Sequence, residues 1–268
     1  MARLQARFDA LRAAHRKALV PFVTAGDPSV EATVPVLHAL VAAGADLLEV
    51  GIPFSDPMAD GPVIQRSSER ALGRGVGLAR VLELVRAFRR DDDATPVVLM
   101  GYLNPVEVRG AGAFARDAAA AGVDGVLLVD LPVEEAVPYR EAFDAAGLAL
   151  VPLAAPTTSG ARLAAVRGQA RGYLYYVNLA GVTGAAAALD AAAVGRRLDA
   201  LRAEAGVPVL AGFGIRDAAA AAAVGAHADG VVVGSALVAT LAEAADAADA
   251  AARAGAFLSP LRAALDAA

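Results

Sequence analysis

Apolar residues fall along this chain in two alternating rhythms. Short runs rich in Val, Leu and Ile, apolar on both faces of a strand, lie at 18–24, 47–51, 97–101, 125–129, 148–153, 173–177, 207–211 and 231–234. Between them, stretches such as 30–43, 78–90, 114–121, 133–146 and 190–205 are amphipathic and long enough for helices. Strands buried on both faces and joined by helices pair in parallel, and eight such units can close into a barrel. The pattern predicts an α/β protein: a (β/α)8 TIM barrel spanning residues 1–268 as a single domain, with an extra helix before the first strand. The phrases Ala43-Gly44-Ala45-Asp46, Ala121-Gly122-Val123-Asp124 and Ala226-His227-Ala228-Asp229-Gly230 recur just before strands and read as turns that stop helices. The alanine- and aspartate-rich segment 242–256 reads as a solvated helix or connector.

Composition narrows the possibilities. The 268 residues match the usual length of such a barrel, about 250. The apolar fraction of 57% owes much to alanine, which favours helix and adds little bulk to a core. No apolar run approaches the roughly 20 residues needed to cross a bilayer. The start of the chain lacks the apolar stretch of a secretory signal, so a cytoplasmic protein is expected. Without cysteine there is no disulfide framework or thiolate chemistry, and a net charge of -5 without a basic stripe argues against nucleic acid. Lys17 is the only lysine and His15, His38 and His227 the only histidines, so no metal site is expected.

In a barrel of this type the active site gathers where strands end at their C-terminal side. Glu49 sits in Leu47-Leu48-Glu49-Val50-Gly51, a carboxylate in an otherwise apolar strand. Burial there costs several kcal/mol unless the charge is paired, and raises the pKa, which suits a group that trades protons near neutral pH. The loop after it, Ile52-Pro53-Phe54-Ser55-Asp56-Pro57-Met58-Ala59-Asp60-Gly61-Pro62, is stiffened by three prolines. Asp60 there is either functional or the N-cap of a helix starting near Val63. Gly181-Val182-Thr183-Gly184, Gly212-Phe213-Gly214-Ile215-Arg216 and Gly234-Ser235-Ala236 follow the sixth, seventh and eighth strands. Each alone is compatible with a turn; together they predict a phosphate cup of backbone amides at a helix N-terminus.

These residues resemble the tryptophan synthase α-subunit family over nearly the whole chain. The resemblance is carried by Pro21-Phe22-Val23-Thr24-Ala25-Gly26-Asp27-Pro28, Glu49 with Pro53-Phe54-Ser55-Asp56-Pro57 and Ala59-Asp60-Gly61-Pro62, Tyr102 with Asn104, and the glycine motifs. It implies retro-aldol cleavage of indole-3-glycerol phosphate to indole and glyceraldehyde 3-phosphate. Glu49 would handle the hydroxyl and indole C3 protons, Asp60 would meet the indole N–H, and Tyr175 would line the same site. Phe22, Ile64, Tyr102, Leu127 and Val129 would shape the indole pocket; Gly184, Phe213, Gly214, Gly234 and Ser235 would hold phosphate, with Thr183 on a closing loop. It further implies an α2β2 assembly in which the β subunit carries pyridoxal phosphate, this chain holding no cofactor. Phe54, Asp56, Pro57, Asn104 and Pro132 are the expected docking face. The chain departs from the family at Ala185 to Ala188, all alanine where polar residues are common, at Asn178-Leu179-Ala180, and at Met100, where leucine is common.

The scarcities agree with that chemistry. Cleaving a carbon–carbon bond beside a hydroxyl requires an electron sink, commonly a lysine Schiff base or a histidine-held metal. Lys17 falls before the first strand, His15 and His38 in helical stretches, and His227 at the opposite face. Indole protonated at C3 supplies its own sink. The alternatives are a barrel that serves mainly as an allosteric partner of a β subunit, and another phosphate-binding barrel enzyme. Of the latter, indole-glycerol phosphate synthase would require a lysine inside the barrel.

Overall fold

In a computed structural model of the chain, residues 1–177 and 191–267 are described. Nine strands, β1 (Ala18–Thr24), β2 (Leu48–Gly51), β3 (Val97–Gly101), β4 (Gly125–Leu128), β5 (Ala149–Leu150), β6 (Leu153–Ala154), β7 (Leu174–Val177), β8 (Val209–Gly212) and β9 (Gly230–Val233), form one sheet in the order β5-β4-β3-β2-β1-β9-β8-β7-β6. Neighbours pair in parallel. The fifth expected strand is broken into β5 and β6 because Pro152 has no N–H to give to a ladder. The chain still joins the two edges: Val151 N–H donates to the Val126 carbonyl at 2.9 Å, and Tyr175 N–H donates to the Pro152 carbonyl at 3.1 Å. The barrel therefore closes through one covalent segment whose first half faces β4 and second half β7.

Strand alternation sorts the core into two layers. Val20, Leu47, Val98, Leu127, Tyr173 and Leu210 point into one inner cluster, whereas Leu19, Leu48, Val50, Leu99 and Val126 face the surrounding helices. The expected N-terminal helix, Ala2–Ala13, adds Leu4, Phe8 and Leu11 to the inner cluster and so plugs one end of the barrel. The alanine-rich segment 242–256 differs from expectation. Most of it opens the long helix Ala247–Asp266, whose Ala250, Ala254 and Leu258 are buried with Val36, Leu37 and Leu40 of the helix Val30–Ala42. Small side chains there let the two helices approach closely. No described helix is long and apolar enough to cross a membrane.

The repeated helix-stop phrases do more than turn the chain. Each contains an aspartate that reaches sideways to the start of the preceding strand. Asp46 accepts the Leu19 N–H at 3.0 Å, Asp124 that of Val97 at 3.0 Å, and Asp229 that of Val209 at 2.8 Å. An arginine closes each clamp: Arg262 on Asp46 at 3.0 Å, Arg89 on Asp124 at 2.8 Å and Arg202 on Asp229 at 3.0 Å. Asp124 carries a second partner, Arg3, at 2.8 Å. Removing one member of a buried ion pair strands the others without compensation. Asp124→Ala is therefore expected to lower unfolding free energy by about 3 kcal/mol in urea titrations. Asp229→Ala should cost less than half as much, because its side chain is 33% exposed whereas that of Asp124 is 2% exposed. Equal losses for the two would contradict the clamp as the source of the effect.

Candidate active site

Glu49 lies in β2 with the inward-facing parity of Leu47, and is 0% exposed. The Tyr173 hydroxyl donates to its Oε1 at 2.6 Å, while Oε2 is buried without a hydrogen-bond partner among the described residues. Burial pushes the Glu49 carboxyl up to about 7, with the Tyr173 hydrogen bond pulling against it. The group therefore holds comparable populations of acid and base near neutral pH. Tyr173 escaped the sequence analysis, which named only Tyr175. The signal was there: in Tyr173-Leu174-Tyr175 the spacing of two puts both phenols on the inward face. Burial, and next the nearby Glu49 charge, raise both phenols well above the ordinary tyrosine range.

Asp60 is not a helix cap. The helix Pro62–Gly73 takes Gly61 as its N-cap and has no side-chain cap bond. The Asp60 carboxylate instead accepts the Tyr102 hydroxyl at 3.0 Å on Oδ2, and the same hydroxyl accepts the Ala59 N–H at 3.0 Å. Gln65 Nε2 donates to the Asp60 carbonyl at 2.9 Å, fixing the loop from its other side. Phe54 stacks on the Tyr102 ring with centroids 5.0 Å apart. Burial raises the Asp60 carboxyl above the usual aspartate range, and the Tyr102 hydrogen bond opposes it.

Both carboxylates open into one cavity of about 710 Å³. Phe22, Ile64, Tyr175 and Phe213 supply apolar and aromatic walls, while Gly214, Gly234 and Ser235 supply backbone at one end. Gly212 must be glycine, since a Cβ there would overlap the Tyr175 hydroxyl. Gly214 has φ +62°, a left-handed conformation that favours glycine. Gly234 caps the helix Ser235–Ala242, whose free N–H groups and positive dipole end border the cavity.

Tyr102 joins the site through Asp60, and Val129 lines an adjoining cavity of about 850 Å³ that shares Asp60 and Tyr175 with the first. Leu127 is fully enclosed in the inner cluster with Val98 and Tyr173. Thr183 and Gly184 lie outside the described residues. Of the expected docking residues, Asp56, Asn104 and Pro132 are exposed, and Phe54 and Pro57 are half-buried. Two large apolar side chains nearby in sequence, Met58 and Val108, are 81% and 83% exposed.

The lysine and histidines are held elsewhere. Lys17 donates to the Ala228 carbonyl at 2.8 Å beneath the N-terminal ends of β1 and β9, and His227 pairs with Asp199 at 2.9 Å. His38 packs against Phe88 on an outer helix, and His15 occupies the turn that ends the first helix. Among the described residues no group of three or more His, Cys, Asp or Glu side chains is placed to hold a metal ion.

Comparison with known proteins places this geometry. The family model for the tryptophan synthase alpha chain matches residues 8–265. The tryptophan synthase alpha chain of Xanthomonas oryzae pv. oryzae is 67% identical over 268 residues, covering 100% of both chains. That of Xanthomonas campestris pv. campestris is 66% identical over 265 residues, 99% of this chain and 97% of the relative. Among solved structures, tryptophan synthase subunit alpha from Legionella pneumophila superposes with a TM-score of 0.93 at 45% identity, covering 99% of each chain. Tryptophan synthase from Mycobacterium tuberculosis gives a TM-score of 0.85 at 38% identity, covering 98% of each. Matched from end to end in both sequence and barrel, the chain belongs to the tryptophan synthase alpha chain family, lyases of tryptophan biosynthesis.

Proposed function

We propose that this chain, acting in the cytoplasm as one barrel domain, cleaves indole-3-glycerol phosphate to indole and glyceraldehyde 3-phosphate, with Glu49 as proton carrier and Asp60 as electrostatic partner. The observation that carries the reading is Glu49 itself: a fully buried carboxyl poised at about 7, with one oxygen unpartnered among the described residues, on the same cavity as Asp60.

The reaction follows from those two groups. Protonated Glu49 delivers its proton to indole C3, and the ring nitrogen takes up the positive charge as an iminium. The Asp60 carboxylate stabilises that cation, an effect strengthened where water is excluded. The Glu49 carboxylate then accepts the proton of the hydroxyl on the adjacent side-chain carbon. Its O–H electron pair forms the aldehyde carbonyl, the carbon–carbon bond breaks, and its pair returns to the ring to regenerate neutral indole. Glu49 ends protonated, as it began. Tyr175 and Phe22 bound the ring's space; Phe213, Gly214, Gly234 and Ser235 receive the phosphate, joined in this reading by Thr183 and Gly184. Ile64, Tyr102, Leu127 and Val129 shape or support the indole side.

Indole passes in this reading to a β subunit carrying pyridoxal phosphate, in an α2β2 assembly, and this chain needs no cofactor of its own. Phe54, Asp56, Pro57, Asn104 and Pro132 form the docking face, and the exposure of Met58 and Val108 beside them supports an apolar contact there.

Indole release from indole-3-glycerol phosphate, measured with and without β subunit, should be seen in both cases and be faster with the partner. Glu49→Gln keeps shape while removing the proton carrier; release should fall by at least about 100-fold, while glycerol 3-phosphate binding is retained. Retained activity in that variant would remove Glu49 from the mechanism. Tyr173→Phe gives a second, independent readout. The Tyr173 hydrogen bond lowers the Glu49 pKa by stabilising the carboxylate. Its loss should raise that pKa further, moving the limb of the pH–rate profile near 7 toward higher pH. An acid shift would contradict the assigned direction.

A further inference from the structure

The cavity has an electrostatic problem that the backbone cup does not solve alone. Two carboxylates, Glu49 and Asp60, face the same space into which a phosphate ester must come. Helix N-termini provide partial charges only, each worth well under one unit. Among the described residues lining this cavity, a single cation is present: Arg216, two residues beyond Gly214.

Arg216 is exposed and forms no ion pair or hydrogen bond with any described residue. Its neighbour Asp217 is not paired with it. That carboxylate caps the helix Ala218–Gly225, accepting the Ala220 N–H at 2.8 Å. Other described arginines are committed: Arg3, Arg16, Arg70, Arg89, Arg202 and Arg262 each hold an aspartate. An uncommitted guanidinium at the rim of an anion cup presents N–H donors in a fork that matches phosphate oxygens.

We propose that Arg216 is a substrate-binding residue that contacts the phosphate group of the incoming ester and sets the preference for a phosphorylated over an unphosphorylated side chain. The proposal rests on the phosphate-ester reading above. It adds a side-chain contact to a site otherwise built from backbone amides, with charge to offset Glu49 and Asp60. The long-range part of the attraction acts on encounter as well as on the bound state, and is screened by salt.

The test uses glycerol 3-phosphate and glycerol as probes in calorimetric titrations, beside steady-state kinetics. Arg216→Gln should weaken glycerol 3-phosphate binding by about tenfold, the order of one charge-assisted hydrogen bond, and the kinetic loss should fall on KM rather than kcat. Arg216→Lys should recover most of the affinity. High salt should weaken binding to the wild type more than to Arg216→Gln. Unchanged melting temperature in both variants separates this role from a structural one. Equal glycerol 3-phosphate affinity in wild type and Arg216→Gln overturns the proposal, even if the wild type releases indole normally. If the wild type releases no indole, the reaction assigned above fails, yet a tenfold loss of phosphate-ester affinity in Arg216→Gln still establishes the contact. A wild type that binds glycerol as tightly as glycerol 3-phosphate overturns the proposal as well.

Discussion

A carboxylate withdrawn from water among apolar side chains is unfavourable as an anion, and the character of this barrel's C-terminal end follows from how Glu49 is housed. One phenol, Tyr173, gives it a single hydrogen bond, and no described cation neutralises it. The result is neither a stable salt bridge nor a permanently neutral acid. It is a group balanced between its two protonation states, which proton transfer in both directions requires. The unpaired Oε2 is the other half of that balance: a partner there would fix the charge and end the poise.

The two ends of the barrel solve different electrostatic problems with the same residue types. At the N-terminal end, Asp46, Asp124 and Asp229 are saturated by arginines and strand amides, so their charges serve rigidity. At the C-terminal end, among the described residues, Glu49 and Asp60 are held by phenols alone, which orient a carboxylate without cancelling its charge. Burial, only partly opposed by the phenol hydrogen bonds, leaves both acids with raised pKa values. The clamps supply the fixed frame against which such underpaired groups keep their positions.

Much of this was legible in the sequence, for reasons that can be named. Continuous apolar runs alternating with helical spacing are strong signals in a barrel whose strands are buried on both faces, and Glu49 broke that pattern visibly. The broken fifth strand was less legible, because the Val- and Leu-rich run hides the missing amide of Pro152. The helix Ala247–Asp266 was underrated because alanine composition does not say which face is buried. Asp60 was ambiguous since capping depends on one residue of register, and the structure gave the cap to Gly61. For Tyr173 the i, i+2 spacing with Tyr175 shows the inward face, but its bond to Glu49 spans 124 positions of sequence, which no local pattern encodes.

The most direct measurement is the protonation state of Glu49 itself. Isotope-edited infrared difference spectra, wild type minus Glu49→Gln with carboxyl-labelled glutamate, isolate its carbonyl stretch. The account predicts a protonated-carboxyl band that persists through mildly acidic pH and titrates away near 7. Loss of that band near the ordinary glutamate value of about 4.3 would contradict it.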